Sequence, residues 1–318
     1  MTISPRPDRP LRLGTRGSPL ALTQARMVIA ALRDAHGWGE GAIEIVEIKT
    51  SGDRIQDRKL AEVGGKALWT KELDRALTAG EIDFAVHSMK DVETIRPAEI
   101  AIAAMLERAD VRDRLIGVES IANLPQGARV GTSSPRRSAQ ILRARPDAAI
   151  VLFRGNVDTR LRKLTDGEAD ATLLAAAGLD RLGRDDVGHV VRVDEMLPAP
   201  AQGAVGIETL ADNAEMRALL AAIDHAPTHV CVSAERALLA ALGGDCRSPI
   251  AALAIESGGG IHLRAEILTE DGREHVADDA MLRVEEAEAD AHALATRLLD
   301  RASPALRSLF AGPLATEQ

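Results

Sequence analysis

The sequence predicts two α/β domains followed by a separate α+β domain. Strand-like and helical segments alternate through the first two thirds of the chain, which is typical of mostly parallel sheets. This alternation starts twice with a similar signal, because GTRGSP near the beginning is echoed by GTSSP in the middle. In the last third, three strand-like segments joined by Gly-rich or Asp-Gly turns favour an antiparallel sheet. We expect domain 1 at 1–104 with 203–222, domain 2 at 105–202 and the C-terminal domain at 223–318.

Each element of the two α/β domains follows from its local pattern. Ser18 and Ser134 are predicted helix N-caps, each followed by a proline at the first helical position, and Asn156 is a third cap. Apolar spacing predicts the remaining elements. Strands are expected at 11–15, 42–49, 82–87, 128–132, 149–153, 171–175 and 201–210, and helices at 20–35, 66–79, 136–145, 157–165 and 213–224.

The C-terminal domain is predicted as a helix, three strands and a closing helix. The first helix spans 228–242, with Thr228 as a possible cap. The strands span 249–257, 261–270 and 275–284, and the closing amphipathic helix spans 285–301. One earlier segment, 50–65, has no apolar periodicity; a connection of this length is either a functional lid or disordered, and we favour the lid.

Composition excludes several classes of protein. The 318 residues include three Phe, two Trp and no Tyr, and the net charge is −9. These numbers argue against base stacking and against general affinity for nucleic acid. No apolar run is long enough to cross a membrane, and the first residues contain no secretory h-region. Two cysteines form neither a disulfide framework nor a zinc spacing, so we expect a cytoplasmic protein without a metal site.

Positive charge is concentrated between residues 130 and 165. This segment has eight arginines or lysines and two aspartates, a net +6 in an acidic protein. Thr132 and Ser134 add hydroxyl donors beside Arg136 and Arg137, in the first turn of a predicted helix. Because two cations oppose the positive end of the helix dipole, a bound anion would offset their cost. The alternative is a solvated helix face.

Further candidate residues lie where predicted strands end, the edge at which open α/β sheets bind ligands. Lys90 and Asp91 follow the strand at 82–87, and Asp91 could act as an acid or base or stabilise a cation. The alternative is a Lys-Asp surface pair, and His87 is expected to be structural. Arginines, the preferred partners of carboxylates, recur at this edge. They are Arg16, Arg154, Arg160 and Arg181.

The two cysteines have different surroundings. Cys246 lies in LGGDCRSP, where Gly243 and Gly244 give the backbone freedom and Arg247 favours a thiolate. It is either a nucleophile or attachment point, or an incidental loop cysteine. Cys231 lies inside an apolar helical run and is expected to be structural.

Six segments in order resemble one enzyme family. They read HSMKDV, VGTSSPRRSAQ, FRGNVDTRLRKL, AAAGLDRLG, QGAVGIE and GGDCRSP, and they resemble porphobilinogen deaminases, also called hydroxymethylbilane synthases. The resemblance runs from Leu11 to beyond Ile250. It implies two α/β domains similar to periplasmic binding proteins, with the active cleft between them, and a third domain carrying the cofactor cysteine.

The resemblance also implies the chemistry. Cys246 would hold a dipyrromethane cofactor through a thioether, and four porphobilinogen units would be deaminated and added to it before hydrolysis releases the linear tetrapyrrole of haem and chlorophyll biosynthesis. Asp91 would be the catalytic residue, stabilising the azafulvene cation left when ammonia departs. Each pyrrole carries an acetate and a propionate, so the growing chain needs many cations. The enzyme would be a cytoplasmic monomer that transfers and joins a small-molecule substrate.

The same resemblance assigns the remaining site residues. Cofactor binding falls to Lys90, Thr132, Ser134, Arg136, Arg137 and Asp53. Substrate binding falls to Arg16, Ser18, Arg154, Arg160, Arg181 and Gln202. Lys66 and Trp69 fall at the lid and the helix behind it, although Trp69 could equally be a core residue.

Two departures from the family pattern and two alternative functions remain. Ala201 replaces a common glycine before Gln202, and Pro135 stands where a leucine or valine is common; both are compatible with the expected backbone roles. One alternative function is a two-lobed, non-catalytic binding protein for a small anion. The other is a cysteine hydrolase, for which His225, His229 or His262 would have to lie near Cys246.

Overall fold

The computed structural model describes residues 9–50, 70–245 and 248–310. These residues form two compact units. The first contains 9–50, 70–109 and 203–229, and the second contains 110–202, 230–245 and 248–310. None of the helices in these ranges combines the length and apolar character that crossing a bilayer requires.

The first unit is built on a five-stranded sheet. Strand β1 pairs in parallel with β2 and β3, whereas β10, which enters late in the chain, pairs antiparallel with β3 and β4. The strand order is β2-β1-β3-β10-β4. The strands are β1 Leu11–Arg16, β2 Ile43–Ile48, β3 Phe84–Ser88, β4 Ile100–Met105 and β10 Val205–Leu210, and the helices are α1 Pro19–His36, α2 Lys71–Thr78 and α6 Ala214–Leu220.

The second unit contains a sheet of the same plan. Strand β6 pairs in parallel with β7 and β8, and β5 pairs antiparallel with β8 and β9. The order is β7-β6-β8-β5-β9. The strands are β5 Asp113–Ile116, β6 Arg129–Thr132, β7 Ala149–Leu152, β8 Ala171–Ala175 and β9 His189–Val190, and the helices are α3 Pro135–Ala144, α4 Val157–Thr165 and α5 Ala176–Arg181.

The two sheets are topological duplicates. In each, three parallel strands are extended by one antiparallel strand and a final edge strand. The antiparallel strand is the late β10 in the first sheet and the unit's first strand, β5, in the second. The shared plan explains why a strand followed by a Ser-Pro helix start occurs twice in the sequence. The predicted fold class is confirmed in its architecture: two five-stranded α/β sheets accompany a three-stranded antiparallel sheet. The predicted domain boundaries stay a prediction.

The third sheet is a meander in the order β11-β12-β13. Its inner face packs against helices through small and branched side chains, among them Leu238, Leu263 and Leu294, as a chain poor in aromatics requires. The elements are α7 Ala226–Ala241, β11 Ile250–Ser257, β12 Gly260–Leu268, β13 His275–Leu282, α8 Ala287–Arg301 and α9 Pro304–Arg307.

Most predicted elements are observed within one or two residues. The strand predicted at 201–210 begins only at Val205, and three further points differ. The short strands β4, β5 and β9 were not predicted, because each is stabilised by pairing with strands remote in sequence. The predicted cap Thr228 is wrong: α7 begins at Ala226, so Thr228 lies in its first turn and its hydroxyl accepts the N–H of Arg108 at 3.0 Å. The predicted helix at 66–79 is described only from Lys71 onward.

Candidate active site

The first unit has a pocket at the carboxyl ends of β1 and β3. Arg16 is the last residue of β1, Ser18 caps α1, and Asp91 lies in the single helical turn Met89–Asp91 that follows β3. All three line the pocket, together with Gln24 and Ser88. Two segments far apart in the sequence, GTRGSP with Arg16 and Ser18 and HSMKDV with Asp91, are therefore brought together at the edge where such sheets bind ligands.

Local sequence explains why α1 starts here. The Ser18 hydroxyl accepts the backbone N–H of Ala21 at 3.3 Å, and Pro19 occupies the first turn, where its missing N–H costs nothing. Two further residues that line the pocket, Gln24 of α1 and Ser88 of β3, were not predicted. The Gln24 amide donates to the Ser88 hydroxyl at 2.8 Å, and Gln24 is buried. The polar wall of the pocket is therefore ordered by contacts within the unit.

The turn carrying Lys90 and Asp91 is fixed to the neighbouring strand segment. The backbone N–H of Met89 donates to the carbonyl of Ala204 at 3.1 Å, and that of Val92 donates to the carbonyl of Met89 at 3.2 Å. Met89 itself is buried. Asp91 is therefore held by a backbone that is packed on one side and open to the pocket on the other.

A buried charged cluster lies behind β3. Nε2 of His87 is 3.2 Å from Oε2 of Glu208, and Arg96 donates to both oxygens of Glu208 at 2.8 and 3.0 Å. Burial opposes ionisation of Glu208, but its contacts with His87 and Arg96 outweigh burial and lower the pKa of Glu208 to about 2. His87 is thus buried in a structural contact, as predicted. Glu208 and Arg96 were not predicted as partners: Glu208 ends the QGAVGIE segment, but no local pattern connects it with His87 or Arg96.

In the second unit, the N-terminus of α3 has the geometry that its sequence predicts. The Ser134 hydroxyl accepts the N–H of Arg137 at 3.4 Å, and Pro135 is in the first turn. The Thr132 hydroxyl accepts the N–H of Ser134 at 3.1 Å. Pro135 is thus compatible with the helix start, as expected.

The charges of Arg136 and Arg137 are met by an acid that the sequence did not reveal. Asp113, the first residue of β5, accepts from Arg136 at 2.8 Å and from Arg137 at 2.7 and 3.3 Å. All three side chains are buried. Burial opposes ionisation of Asp113, yet the two guanidinium groups hold its pKa far below its usual range, while burial lowers the pKa of Arg136. No local pattern could connect Asp113 with residues 23 and 24 positions away.

The predicted residue Gln202 belongs to the same buried network. Its side-chain amide donates to Oδ1 of Asp113 at 2.9 Å and to the carbonyl of Val111 at 2.8 Å. One turn after Arg136 on α3, the Gln140 amide donates to Glu266 of β12 at 3.0 Å. The helix that carries the two arginines is therefore tied to the C-terminal sheet within this unit.

The remaining predicted arginines lie at the carboxyl ends of β7 and after β8. Arg154 is buried just beyond β7, and Asn156 caps α4 by accepting the N–H of Thr159 at 2.9 Å. Nε of Arg160 donates to the carbonyl of Gly155 at 3.0 Å. Arg181 ends α5, and burial lowers its pKa despite the neighbouring Asp180. These cations share one edge of the second sheet with the α3 N-terminus.

Comparison with known families decides the identity. Residues 11–218 match the family model "Porphobilinogen deaminase, dipyromethane cofactor binding domain", and residues 229–300 match "Porphobilinogen deaminase, C-terminal domain". The chain belongs to the porphobilinogen deaminase family. As a member of this family it is an enzyme with a dipyrromethane cofactor.

Named relatives cover nearly the whole chain. The porphobilinogen deaminase of Sphingopyxis alaskensis is 62% identical over 311 residues, covering 96% of this chain and 98% of its own. That of Paracoccus denitrificans is 53% identical over 280 residues, covering 87% and 90%. Among solved structures, the L-cystine solute receptor of Neisseria gonorrhoeae covers 69% of this chain and 87% of its own at 18% identity, with a TM-score of 0.39.

Several family positions lie outside the described residues. They are the predicted cofactor attachment point Cys246, Asp53, and the predicted lid residues Lys66 and Trp69, with most of the segment 50–65. Cys231, predicted to be structural, is buried in α7. Within the described ranges, no group of three or more His, Cys, Asp or Glu side chains is placed to hold a metal ion.

The histidines of the hydrolase alternative have acidic or hydroxyl neighbours. Nδ1 of His225 is 2.9 Å from the Thr228 hydroxyl. Nδ1 of His229 is 2.8 Å from Asp224, and Nε2 of His262 is 2.8 Å from Asp279. Membership of the porphobilinogen deaminase family argues against both this alternative and the binding-protein alternative.

Proposed function

We propose that the chain deaminates porphobilinogen, joins four units head to tail on a dipyrromethane held by Cys246, and releases hydroxymethylbilane by hydrolysis. One observation carries the mechanism: Asp91, Arg16 and Ser18 line one pocket at the carboxyl ends of β1 and β3. A carboxylate beside a cation and a helix N-terminus suits a substrate that develops positive charge on its ring while carrying carboxylates.

Asp91 is the catalytic residue. Loss of ammonia from the substrate's aminomethyl group leaves a positive charge shared by the methylene carbon and the pyrrole nitrogen. The Asp91 carboxylate accepts the pyrrole N–H and stabilises that charge, since a fixed anion in a partly dry site is worth more than one in water. The attacking pyrrole carbon then forms the new C–C bond and gives up its proton.

The donor set fits a dipyrromethane, whose two pyrroles carry four carboxylates. Arginine binds carboxylates through two parallel hydrogen bonds, and the helix N-termini at Ser18 and Ser134 add backbone donors. When bound, the dipyrromethane supplies the terminal pyrrole carbon to which each new unit is joined. We assign cofactor binding to Lys90, Thr132, Ser134, Arg136, Arg137 and Asp53. We assign substrate binding to Arg16, Ser18, Arg154, Arg160, Arg181 and Gln202.

Denatured intact mass tests the covalent part of this proposal. Protein expressed where porphobilinogen is available should be heavier than its sequence by two pyrrole units. The variant Cys246→Ser should lose that added mass, and the matched variant Cys231→Ala should keep it, because Cys231 is buried in α7. An unmodified wild-type mass would instead favour the binding protein.

A second comparison separates the proposal from the hydrolase. Under the proposal, Asp91→Ala abolishes porphobilinogen consumption, whereas His225→Ala, His229→Ala and His262→Ala retain it. Retained activity in Asp91→Ala together with its loss in one histidine variant would overturn the proposed function.

We also propose that the enzyme is a cytoplasmic monomer. Two cysteines in 318 residues support a reducing compartment. Light scattering should give the mass of one 33.8 kDa chain. The three-sheet architecture supports the domain division 1–104 with 203–222, 105–202 and 223–318, which limited proteolysis at the boundaries would test.

A further inference from the structure

Asp113 is the common partner of three residues that the proposed function places at the cofactor or substrate. Its Oδ1 accepts from Arg137 at 2.7 Å and from Gln202 at 2.9 Å, and its Oδ2 accepts from Arg136 at 2.8 Å and from Arg137 at 3.3 Å. The side chain of Asp113 is 1% exposed. This carboxylate is therefore an internal partner of the guanidinium pair, screened from solvent.

The two guanidinium groups are oriented by this carboxylate and by backbone carbonyls. Arg137 forms two bonds to Asp113 and donates its other terminal nitrogen to the carbonyl of Leu173 at 3.0 Å. Arg136 donates to Asp113, to the carbonyl of Leu197 at 2.9 Å and to Gln140 at 3.0 Å. Each guanidinium plane is thus fixed by two or three acceptors before any ligand binds.

The charge balance explains why an acid is needed. Two adjacent cations in the first turn of α3 repel each other and oppose the helix dipole. One buried carboxylate reduces the pair from +2 to +1, which still attracts an anionic ligand. Without it, two buried charges would lack a counter-ion, and buried ions without partners are strongly unfavourable. The arginines would then turn toward other acceptors.

We propose that Asp113 is a positioning residue that holds Arg136 and Arg137 in the orientation that receives the carboxylates of the dipyrromethane, an inference that rests on the proposed function. Asp113 acts through the two arginines and touches neither substrate nor cofactor. Gln202 donates to the same oxygen of Asp113 as Arg137 does, so its contribution to binding is exerted through the same carboxylate.

The test follows the rate at which bare protein acquires the cofactor. Bare wild type and bare Asp113→Asn are incubated with excess porphobilinogen, the folded fraction is separated by gel filtration, and its gain of two pyrrole units is followed by denatured mass. Loading of folded Asp113→Asn should be slower by at least about tenfold, since a hydrogen bond to a charged group contributes enough free energy for that factor. A merely structural role would lower the folded yield without changing the loading rate of the folded fraction.

Asp110→Asn is the matched control. Asp110 lies three residues away and forms an ion pair with Arg112 at 2.7 Å, in which the arginine side chain is 45% exposed. This variant should load at the wild-type rate. Equal loading of folded Asp113→Asn and wild type would overturn the inference and leave the proposed function intact. A wild type that never gains mass would overturn the proposed function, and the inference with it.

A second pair of variants covers poor folding of Asp113→Asn. Arg136→Gln keeps the Asp113–Arg137 contact. The double variant, Asp113→Asn with Arg136→Gln, removes this contact and has the same net charge as wild type. If Asp113 orients Arg137, the double variant should load at least about tenfold more slowly than Arg136→Gln. Equal rates in this pair would show that Asp113 is only a counter-ion and would contradict the proposal.

Discussion

Gly206 packs directly against Met89. A Cβ at position 206 would overlap Sδ of Met89 and lie 2.8 Å from its Cγ. Gly206 belongs to the QGAVGIE segment of β10, and Met89 belongs to HSMKDV and begins the turn that carries Asp91. Met89 is 1% exposed, so its side chain lies in the interior of the unit. Two motifs far apart in the sequence therefore fix the position of the turn that carries Asp91.

The variant Gly206→Ala should impair both stability and catalysis. The added methyl group must displace Met89 and with it the backbone of Asp91, and overpacking of this kind costs about 1–3 kcal/mol. Because a small displacement of a catalytic group is enough to slow a reaction, kcat should fall at least about tenfold. Steady-state kinetics and thermal unfolding measure the two effects. In Gly39→Ala, where a Cβ would meet nothing within 4 Å, both should stay unchanged; wild-type kcat in Gly206→Ala would contradict this account.

Ala201 stands where the family commonly has a glycine, and its backbone adopts a conformation that is unfavourable for alanine. It has φ 62°, in the left-handed region, and its N–H donates to the buried Glu235 carboxylate at 2.6 Å. Glu235 also accepts the N–H of Ala254 in β11 at 2.7 Å. This turn directs the next residue, Gln202, toward Asp113. Within the described residues, no other non-glycine residue has a positive φ.

Ala201→Gly should therefore be nearly neutral. Relief of the left-handed conformation gains about 1–2 kcal/mol, the more flexible unfolded chain costs about 0.4–1 kcal/mol, and loss of a buried methyl group costs about 0.8 kcal/mol. The melting temperature should stay within about 2 °C of wild type. Ala199→Gly gains no such relief and should be destabilising. A clear loss of stability in Ala201→Gly would contradict the expected gain from relief of the left-handed conformation at position 201.

Glu208 should make folding stability depend on acidic pH. Its pKa falls from 4.5 to about 2 on folding, because its contacts with His87 and Arg96 outweigh its burial. A group whose folded pKa is lowered contributes stability above its unfolded pKa and loses it as pH falls toward the folded value. Since one pKa unit corresponds to about 1.4 kcal/mol, this contribution is on the order of 3 kcal/mol at neutral pH.

Urea unfolding at several pH values isolates this contribution. The stability difference between wild type and Glu208→Gln should be largest above pH 4.5 and shrink as pH falls toward about 2, because protonated Glu208 resembles glutamine. Glu256→Gln, an exposed position at the end of β11, should show no such trend. A difference that is independent of pH would mean that folding does not change the pKa of Glu208.

The sequence reveals features that depend on neighbouring residues in the chain. The caps at Ser18, Ser134 and Asn156 were predicted because an N-cap, its helix and a following proline or polar turn form one local pattern. The strand that carries HSMKDV and the duplicated α/β pattern were predicted from short-range periodicity. The family motifs then assigned roles to residues whose chemistry alone left alternatives open, such as Asp91 and Cys246.

Features that depend on distant pairing were not predicted. β5 is four residues long and becomes a strand through pairing with β8, and its first residue, Asp113, becomes an ion partner through the packing of α3. The charge pattern of the sequence indicates a ligand that compensates the positive charge of Arg136 and Arg137, whereas Asp113 already supplies part of that compensation. No spacing rule connects such partners, because the fold, not the chain, places them together.

The charge of Asp91 gives the sharpest test of catalysis. Asp91→Asn keeps the size of the side chain and removes the anion, so kcat should fall by about 10²–10³-fold, the usual effect of removing one group that stabilises a developing charge. Asp91→Glu restores the anion one methylene further along and should recover part of that loss. Both variants should be loaded with the cofactor before turnover is measured, and denatured mass should show that they carry it. Asp186→Asn, at an exposed position, is the control and should keep wild-type kcat. An Asp91→Asn enzyme within a few-fold of wild type would mean that ammonia leaves without help from this carboxylate.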